Sequence, residues 1–211
     1  MSPAARELIV ATSNPGKLRE IRGLLGDLPA RLYGLERVPG VALPEEGDDY
    51  AANAAAKALA VACAAGCLAL ADDSGLEVAG LGGAPGPRSA RFGGPELDDG
   101  GRLRALLAAL AGATGAAREA RFVCVVALAT PQGAVVTKRG ECRGRILEAA
   151  RGTSGFGYDP VFVADGARVS FAEMPEAEKS RLSHRGIAVR ALIPELRRAL
   201  GDQSPNAAIR S

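Results

Sequence analysis

The segment CLALADDSG, residues 67–75, combines a predicted buried strand with two adjacent acidic residues. Its first five residues form an apolar run with the length and composition of a buried strand. Asp72 and Asp73 follow at the predicted end of that strand, with Ser74 directly behind them. Because an unpaired carboxylate is costly to bury, these acids are expected to bind a cation or a ligand. The segment therefore predicts a sheet and places a candidate site at the end of one strand.

Strands and helices alternate on the N-terminal side of this segment. Asn14 is predicted to cap a helix in which Pro15 is the first residue, and Gly66 is predicted to end an alanine-rich helix. The predicted elements are a strand in ELIVATS (7–13), a helix in 14–29, a strand in RLYGL (31–35) and a helix in 50–66. This alternation favours a sheet covered by helices.

The C-terminal side adds antiparallel strands and three more helices, of which a short one directly precedes the last. Two long runs around the turn PQG predict a hairpin in residues 121–142. Ser183 is predicted to cap the last helix and Pro194 to kink it. The remaining elements are a helix in 98–112 and a short strand in PVFV (160–163). This order predicts an α/β or α+β fold with a mixed sheet.

The chain is long enough for one large domain, and its composition argues against several kinds of partner. Of 211 residues, 47% are hydrophobic, which is enough to fill a core. Residues 1–200 are predicted to form that domain and residues 201–211 a frayed tail. The net charge of +2 does not favour a nucleic-acid partner. No run of eighteen apolar residues and no signal-peptide pattern occurs, which predicts a cytoplasmic protein without a membrane partner.

The four cysteines lack the CxxC spacing of a zinc site. Cys63 and Cys67 lie in an alanine-rich apolar context in which small buried thiols are common. Structural thiols in a reducing compartment are therefore the expectation.

A candidate anion site lies in ATSNPGK, residues 11–17, between the first strand and the first helix. A helix N-terminus offers unpaired N–H groups and a partial positive charge, both suited to phosphate. The polar residues that would complete this cradle are Thr12, Ser13, Asn14 and Lys17. The segment is not a Walker A loop, and a capped helix without a ligand is the alternative interpretation.

The acidic residues predict a site for a hard cation. Asp72 and Asp73, with Glu45 and Glu46 from the upstream loop, offer the oxygen ligands that Mg²⁺ takes when it also holds substrate phosphates. Solvated loop acids are the alternative for the two glutamates. The letters DDSG also match the Asp-Ser-Gly signature of aspartic proteases, but the predicted helices do not fit their all-β scaffold.

Three further segments carry groups suited to an anionic, planar ligand. GGAPGPRSARFGG (82–94) offers the guanidinium groups of Arg88 and Arg91. GTSGFGYDP (152–160) places Phe156 between glycines, where its ring could stack on a base or pack in the core. EKSRLSHRG (178–186) gathers three donors that favour an anionic or carbonyl-bearing ligand, although a lone histidine is more often structural. These donors are Lys179, His184 and Arg185.

Taken in order, these segments resemble the motifs of the HAM1/inosine triphosphatase family over most of residues 7–200. The matching stretches are TSNPGK, ADDSGLEV, GGAPGPRSARF, GTSGFGYDP and EKSRLSHRG. The resemblance implies a two-lobed α/β fold around a central nucleotide-binding cleft, usually in a homodimer. It also implies Mg²⁺-dependent hydrolysis of inosine, deoxyinosine and xanthosine triphosphates to the monophosphate and pyrophosphate, which cleanses the nucleotide pool.

The resemblance also assigns roles to individual residues. Glu45 and Asp73 would hold Mg²⁺, and Asp73 would also be the catalytic proton acceptor. The triphosphate would be held by Thr12, Ser13, Asn14, Lys17 and Lys57. Ser74 would touch the substrate, the base would be framed by Phe156, Gly157, Tyr158 and Asp159, and the pocket would be completed by Lys179, His184 and Arg185. A nucleotide-binding module that senses purines without turnover is the alternative function.

Overall fold

The computed structural model describes residues 6–201, which form a mixed α/β fold around one seven-stranded sheet. The strands are β1 (Arg6–Val10), β2 (Ala30–Tyr33), β3 (Leu68–Val78), β4 (Pro85–Gly86), β5 (Glu119–Ala129), β6 (Val135–Ile146) and β7 (Phe162–Ala164). The helices are α1 (Pro15–Leu24), α2 (Tyr50–Ala65), α3 (Asp99–Ala109), α4 (Glu176–Leu182) and α5 (His184–Ala199). The predicted α/β class with a mixed sheet is confirmed.

The sheet runs in the order β2-β1-β3-β5-β6-β7, and β4 pairs with β3 outside this path. β1 is parallel to both β2 and β3, whereas β5, β6 and β7 each run antiparallel to the preceding strand in the sheet. The hairpin predicted around PQG is the β5–β6 pair. An aspartic protease would need an essentially all-β scaffold, so the described fold rules out that interpretation of DDSG.

The prediction that β3 ends before Asp72 is wrong, because the strand continues to Val78. Its ladder with β5 is unbroken from Ala69 opposite Ala129 to Val78 opposite Ala120. The backbone groups around the two aspartates are therefore paired within the sheet. Successive side chains of a strand point to opposite faces, so the two adjacent carboxylates of β3 point to different faces of the sheet.

Helices cover both faces of the sheet. α2 packs its alanines, among them Ala54 and Ala58, on one face together with Ala69 and Ala71 of β3. α1 and α5 pack on the other face, where Leu192 of α5 joins the same cluster as β3 and β5 residues. A third cluster, under α3, contains stacked and edge-on rings from Phe122, Phe162 and Phe171. The candidate site lies where these three clusters meet β3.

The predicted helix caps are confirmed. The side chain of Asn14 accepts hydrogen bonds from the N–H groups of Gly16 and Lys17. Gly66 ends α2 with φ +66°, a left-handed conformation that glycine adopts without strain. Ser183 caps α5 by accepting from Gly186, and Pro194 lies inside that helix.

The cysteines are all free, but their burial differs from the expectation. Cys63 is exposed and Cys67 is partly exposed, whereas Cys124 and Cys142 of the hairpin are buried. Helix α2 buries its alanines against the sheet and turns Cys63 outward. Among the described helices, none is long and apolar enough to span a membrane. The predicted frayed tail lies outside the described residues, except for Gly201.

Candidate active site

A cleft beside the middle of β3 brings together segments from both ends of the chain. The ring of Phe156 lies against Gly16, where a Cβ would be only 2.5 Å from it. The N-terminal turn and the glycine loop around Phe156 are therefore in contact, although about two thirds of the chain separates them. The predicted site residues that line the cleft are Asn14, Lys17, Asp73, Ser74, Phe156, Gly157, Tyr158, Asp159, Lys179, His184 and Arg185.

Four predicted site residues do not line this cleft. Lys57 is buried beside it and reaches Asp73, with 3.3 Å between Nζ and Oδ1. The hydroxyl of Thr12 accepts a hydrogen bond from the N–H of Asn14 at 3.2 Å. Ser13 and Glu45 are exposed. The structure thus brings Lys57 to the site and leaves Ser13 and Glu45 on the surface.

Asp73 points to the α2 face of the sheet, where two donors one helical turn apart contact it. Asn53 Nδ2 donates to Asp73 Oδ2 at 2.9 Å, and Lys57 approaches the other oxygen. Burial raises the pKa of the Asp73 carboxyl, while the charge of Lys57 acts in the opposite direction. Asn53 was not predicted from the sequence, since an asparagine in an alanine-rich helix gives no sign of which carboxylate it will meet.

Asp72 points to the opposite face and is enclosed by cations. Its Oδ2 lies 3.2 Å from Lys17 Nζ and 3.0 Å from Arg185 Nη2, and it accepts from the Ser74 hydroxyl at 3.1 Å. Burial alone would raise the pKa of Asp72, but the charges of Lys17, Arg185 and Lys57 outweigh it and hold the pKa well below its usual range. Asp72 is therefore a fixed anion that positions Lys17 and Arg185 on this face, while Asp73 contacts Lys57 on the other.

The loop that carries Glu45 and Glu46, here called the acidic loop, contributes a second carboxylate to the Asp73 side of the cleft. Glu46 lines the cleft and binds Lys57, with 2.6 Å between Oε1 and Nζ. Lys57 thus lies between the carboxylates of Glu46 and Asp73. The described residues contain no group of three His, Cys, Asp or Glu side chains placed to hold a metal. Any cation held here needs further oxygen ligands from substrate or water.

The donors near the C-terminus have acidic partners on other elements of the fold. Glu20 of α1 binds both Lys179, at 2.6 Å, and Arg185, at 2.5 Å. Lys179 also pairs with Asp159. Burial would raise the pKa of Glu20, but Arg185 and Lys179 lower it below its usual value. The sequence offered one signal for Glu20, its position three residues after Lys17 on the same helical face, but it gave no sign of the contact with α5.

His184 is the first residue of α5 and stacks on a ring of β5. Its ring lies 4.6 Å from that of Phe122 with 8° between the planes, and its Nδ1 has no hydrogen-bond partner. Burial, followed by the charges of Arg185 and Lys179, lowers the pKa of His184 well below 6.5. The imidazole is therefore neutral at physiological pH.

The glycine loop around Phe156 is held by several hydrogen bonds. Asp159 accepts from the N–H of Phe156 at 2.9 Å, and Tyr158 donates its hydroxyl proton to the carbonyl of Ser89 at 2.9 Å. Asp99 of α3 accepts from the N–H of Gly157. Burial raises the pKa of Asp159 although Lys179 opposes this. The loop thus presents the Phe156 ring in a fixed place, with the ammonium of Lys179 5.2 Å from its centroid.

The arginines of the glycine- and proline-rich segment do not line the cleft. Arg88 binds the exposed carboxylate of Asp48, and Arg91 donates to the carbonyl of Glu46 at 3.1 Å. These contacts tie the segment to the acidic loop. The cations that line the cleft are instead Lys17 of α1, Arg102 of α3, Lys179 of α4 and Arg185 of α5, with Lys57 of α2 buried beside it.

The fold and the cleft together define a mixed α/β protein whose site combines cations paired with carboxylates and a half-buried aromatic ring. The sequence profile of the Ham1 family matches residues 8–195. A dITP/XTP pyrophosphatase from Deinococcus deserti is 53% identical over 188 residues, covering 89% of this chain and 88% of the relative.

Solved structures agree with the sequence comparison. A HAM1 protein from Coxiella burnetii superimposes with a TM-score of 0.81 at 37% identity, covering 92% of this chain and 99% of the other. A nucleoside-triphosphatase / dITP/XTP pyrophosphatase from Mycobacterium abscessus does so with a TM-score of 0.71 at 40% identity, covering 89% and 99%. The chain belongs to the Ham1 family.

Proposed function

We propose that this protein hydrolyses dITP, ITP and XTP to the nucleoside monophosphate and pyrophosphate and so clears deaminated purines from the nucleotide pool. Relatives named dITP/XTP pyrophosphatase match it over most of both chains. The observation that carries the proposal is the contact of Phe156 with Gly16, because it joins a cation-rich end and an aromatic end in one cleft. Such a cleft suits a ligand with a polyphosphate tail and a planar base.

Lys17 and Lys57 bind and neutralise the triphosphate in this proposal, with Thr12, Ser13 and Asn14 forming the turn around it. Both ammonium groups already lie near carboxylates, which orients them before substrate enters. Asp73 orients the water that attacks the α-phosphorus and accepts its proton. The bond between the α-phosphorus and the bridging oxygen breaks, and pyrophosphate leaves as a stabilised anion.

The donor set on the Asp73 side fits Mg²⁺. Carboxylate oxygens are the protein ligands this ion prefers, and it commonly uses only one or two of them together with substrate phosphates. Asp73 and a carboxylate of the Glu45–Glu46 loop would hold it. Family resemblance favours Glu45, whereas Glu46 is the loop residue that lines the cleft. When bound, Mg²⁺ supplies neutralisation of the phosphate charge.

Base selectivity follows from the first turn of α5. Helical geometry leaves the N–H groups of His184 and Arg185 without intrahelical partners, while Ser183 caps Gly186. The guanidinium of Arg185 is largely occupied by Asp72, Glu20 and Ser74. Backbone donors therefore meet the 6-carbonyl of hypoxanthine or xanthine, and the 6-amino group of adenine would leave them unpaired. Discrimination of this kind reaches ~10⁴-fold.

The direct test is incubation of the purified protein with dITP, XTP, ATP and GTP, with and without Mg²⁺, followed by measurement of pyrophosphate. We expect pyrophosphate and monophosphate from dITP and XTP, and a loss of turnover by ~10²-fold or more in Asp73→Asn. Binding of dITP without any pyrophosphate release would favour the sensing module instead. Release of single phosphate would contradict attack at the α-phosphorus.

The two loop glutamates form a matched pair for locating the cation. Glu45→Gln and Glu46→Gln remove the same charge from neighbouring positions, one exposed and one in the cleft. We expect one of them to raise the Mg²⁺ concentration required for half-maximal hydrolysis of dITP and the other to leave it near the wild-type value. If neither moves it, the loop does not contribute a ligand.

The homodimer and the cytoplasmic location implied by the family resemblance belong to the same proposal. Sedimentation equilibrium of the full chain would give twice the mass of the monomer, and a mass of one chain across the micromolar range would contradict the dimer. The single domain predicted for residues 1–200 would unfold in one cooperative transition.

A further inference from the structure

Asn53 of α2 is buried, and its side-chain amide uses all of its hydrogen-bonding groups. Its Nδ2 donates to Asp73 Oδ2 at 2.9 Å and to the carbonyl of Gly47 at 3.0 Å. Its Oδ1 accepts from the N–H of Gly47 at 2.8 Å. An amide has two donors and one carbonyl acceptor, so each group meets a partner of the right kind.

The two bonds to Gly47 fix the orientation of this amide. The N–H of Gly47 requires an acceptor, which directs Oδ1 toward the loop and leaves an Nδ2 hydrogen for Asp73. Gly47 directly follows the acidic pair Glu45–Glu46. Asn53 therefore joins the catalytic strand to the loop that carries the second carboxylate, through one rigid group on a helix.

We propose that Asn53 is a positioning residue that sets the distance between Asp73 and the acidic loop and thereby the affinity for the divalent cation. The inference rests on the proposed function, since it concerns the cation of that same site. Side chains that orient metal ligands in this way typically change metal affinity by about 10–100-fold when they are replaced. Lys57, one helical turn further along, meets the other oxygen of Asp73, so the two contacts leave Asp73 little freedom.

Two substitutions of Asn53 distinguish the loss of its hydrogen bonds from the loss of its side-chain volume. Asn53→Leu keeps the approximate size of the side chain and adds no charge, but it loses the donation to Asp73 and both bonds to Gly47. Asn53→Ala removes all three hydrogen bonds. Val61→Ala is the control. Val61 is fully buried on the same helix, and its side chain has no group that could hydrogen-bond to Asp73 or to the Glu45–Glu46 loop.

The measurement uses Mn²⁺ as a paramagnetic probe of the full-length protein in the presence of α,β-methylene inosine triphosphate, in which the α–β linkage is not hydrolysed. Water-proton relaxation reports the bound ion, and thermal melting reports folding. We expect Asn53→Ala and Asn53→Leu to raise the Mn²⁺ concentration at half-saturation by about tenfold or more. We expect Val61→Ala to lower the melting temperature and to leave the Mn²⁺ concentration at half-saturation unchanged.

The inference would be overturned if both Asn53 variants bound Mn²⁺ with the half-saturation concentration of the wild type. An equal shift in Val61→Ala would also overturn it, since the effect would then follow stability rather than position, and so would the absence of Mn²⁺ binding in the wild type. The proposed hydrolysis is tested separately by pyrophosphate release from dITP, so its failure is distinguishable from a failure here.

Discussion

At the scale of single residues, the site depends on which face of β3 each carboxylate occupies. Asp72 and Asp73 differ by one position, yet one meets Arg185 and Lys17 and the other meets Asn53 and Lys57. Side chains alternate between the two faces of a strand, so each of the two carboxylates meets a different set of partners. The pKa of Asp72 is lowered and that of Asp73 is raised. Two identical neighbours thus have different chemical roles.

His184 provides a prediction about pH, because it is the one histidine in the chain. Its pKa in the folded state is well below the value of 6.5 expected for the unfolded chain. As pH falls below 6.5, the unfolded state takes up a proton that the folded state does not, so stability must fall. The loss approaches about 1.4 kcal/mol per pH unit for one group.

Urea unfolding of the wild type and His184→Gln between pH 5.0 and 7.5 measures this difference. We expect the free energy of unfolding of the wild type to decline toward pH 5 more steeply than that of the variant. Parallel curves would show that His184 is protonated in the folded protein, which is at odds with its burial beside Arg185.

At the scale of elements, β3 must pass closely between α2 and the proline-rich segment. A Cβ on Gly75 would overlap the carbonyl oxygen of Gly86 and lie 2.8 Å from the hydroxyl of Tyr50. Gly75 pairs within the ladder to β5, opposite Val123, so the strand cannot shift without breaking backbone hydrogen bonds. The need for glycine at this position comes from a close approach of two backbones.

Gly75→Ala should therefore lower the free energy of unfolding by about 1–3 kcal/mol, the usual cost of overpacking. Gly23→Ala in α1 is the matched control, since nothing lies within 4 Å of a Cβ there. Within a helix, this change should raise stability by about 0.5–1 kcal/mol. Urea denaturation measures both, and similar effects of the two substitutions would refute the close approach at Gly75.

At the scale of the whole molecule, a chain of alternating charges joins the two ends of the sequence. It runs through Lys17, Asp72, Arg185, Glu20, Lys179 and Asp159, with each neighbour paired to the next. These side chains come from α1, β3, α5, α4 and the glycine loop. The network holds the cleft walls together and keeps its cations oriented without leaving a buried charge alone.

Glu20→Gln tests this network at its centre. Lys179 keeps Asp159 and Arg185 keeps Asp72 in this variant, but the buried network then carries one excess positive charge, which should cost about 3 kcal/mol. Glu7→Gln is the control, because Glu7 pairs with Arg37 on the surface and such pairs contribute at most about 1 kcal/mol. Urea denaturation at pH 7 measures both, and equal losses would show that the network adds no stability.

The sequence by itself determined the alternating elements, the caps at Asn14, Gly66 and Ser183, the hairpin and the segments that meet at the cleft. These features follow from the hydrophobic periodicity, the glycines and the capping residues, all of which act over a few residues of sequence. Tertiary structure alone decided the length of β3, the opposite orientations of Asp72 and Asp73, and the parts played by Glu20, Asn53 and Glu46. These features depend on contacts between residues that lie dozens to more than a hundred positions apart in the sequence. Packing, together with the cost of leaving a buried charge unpaired, determines which partner each charge meets.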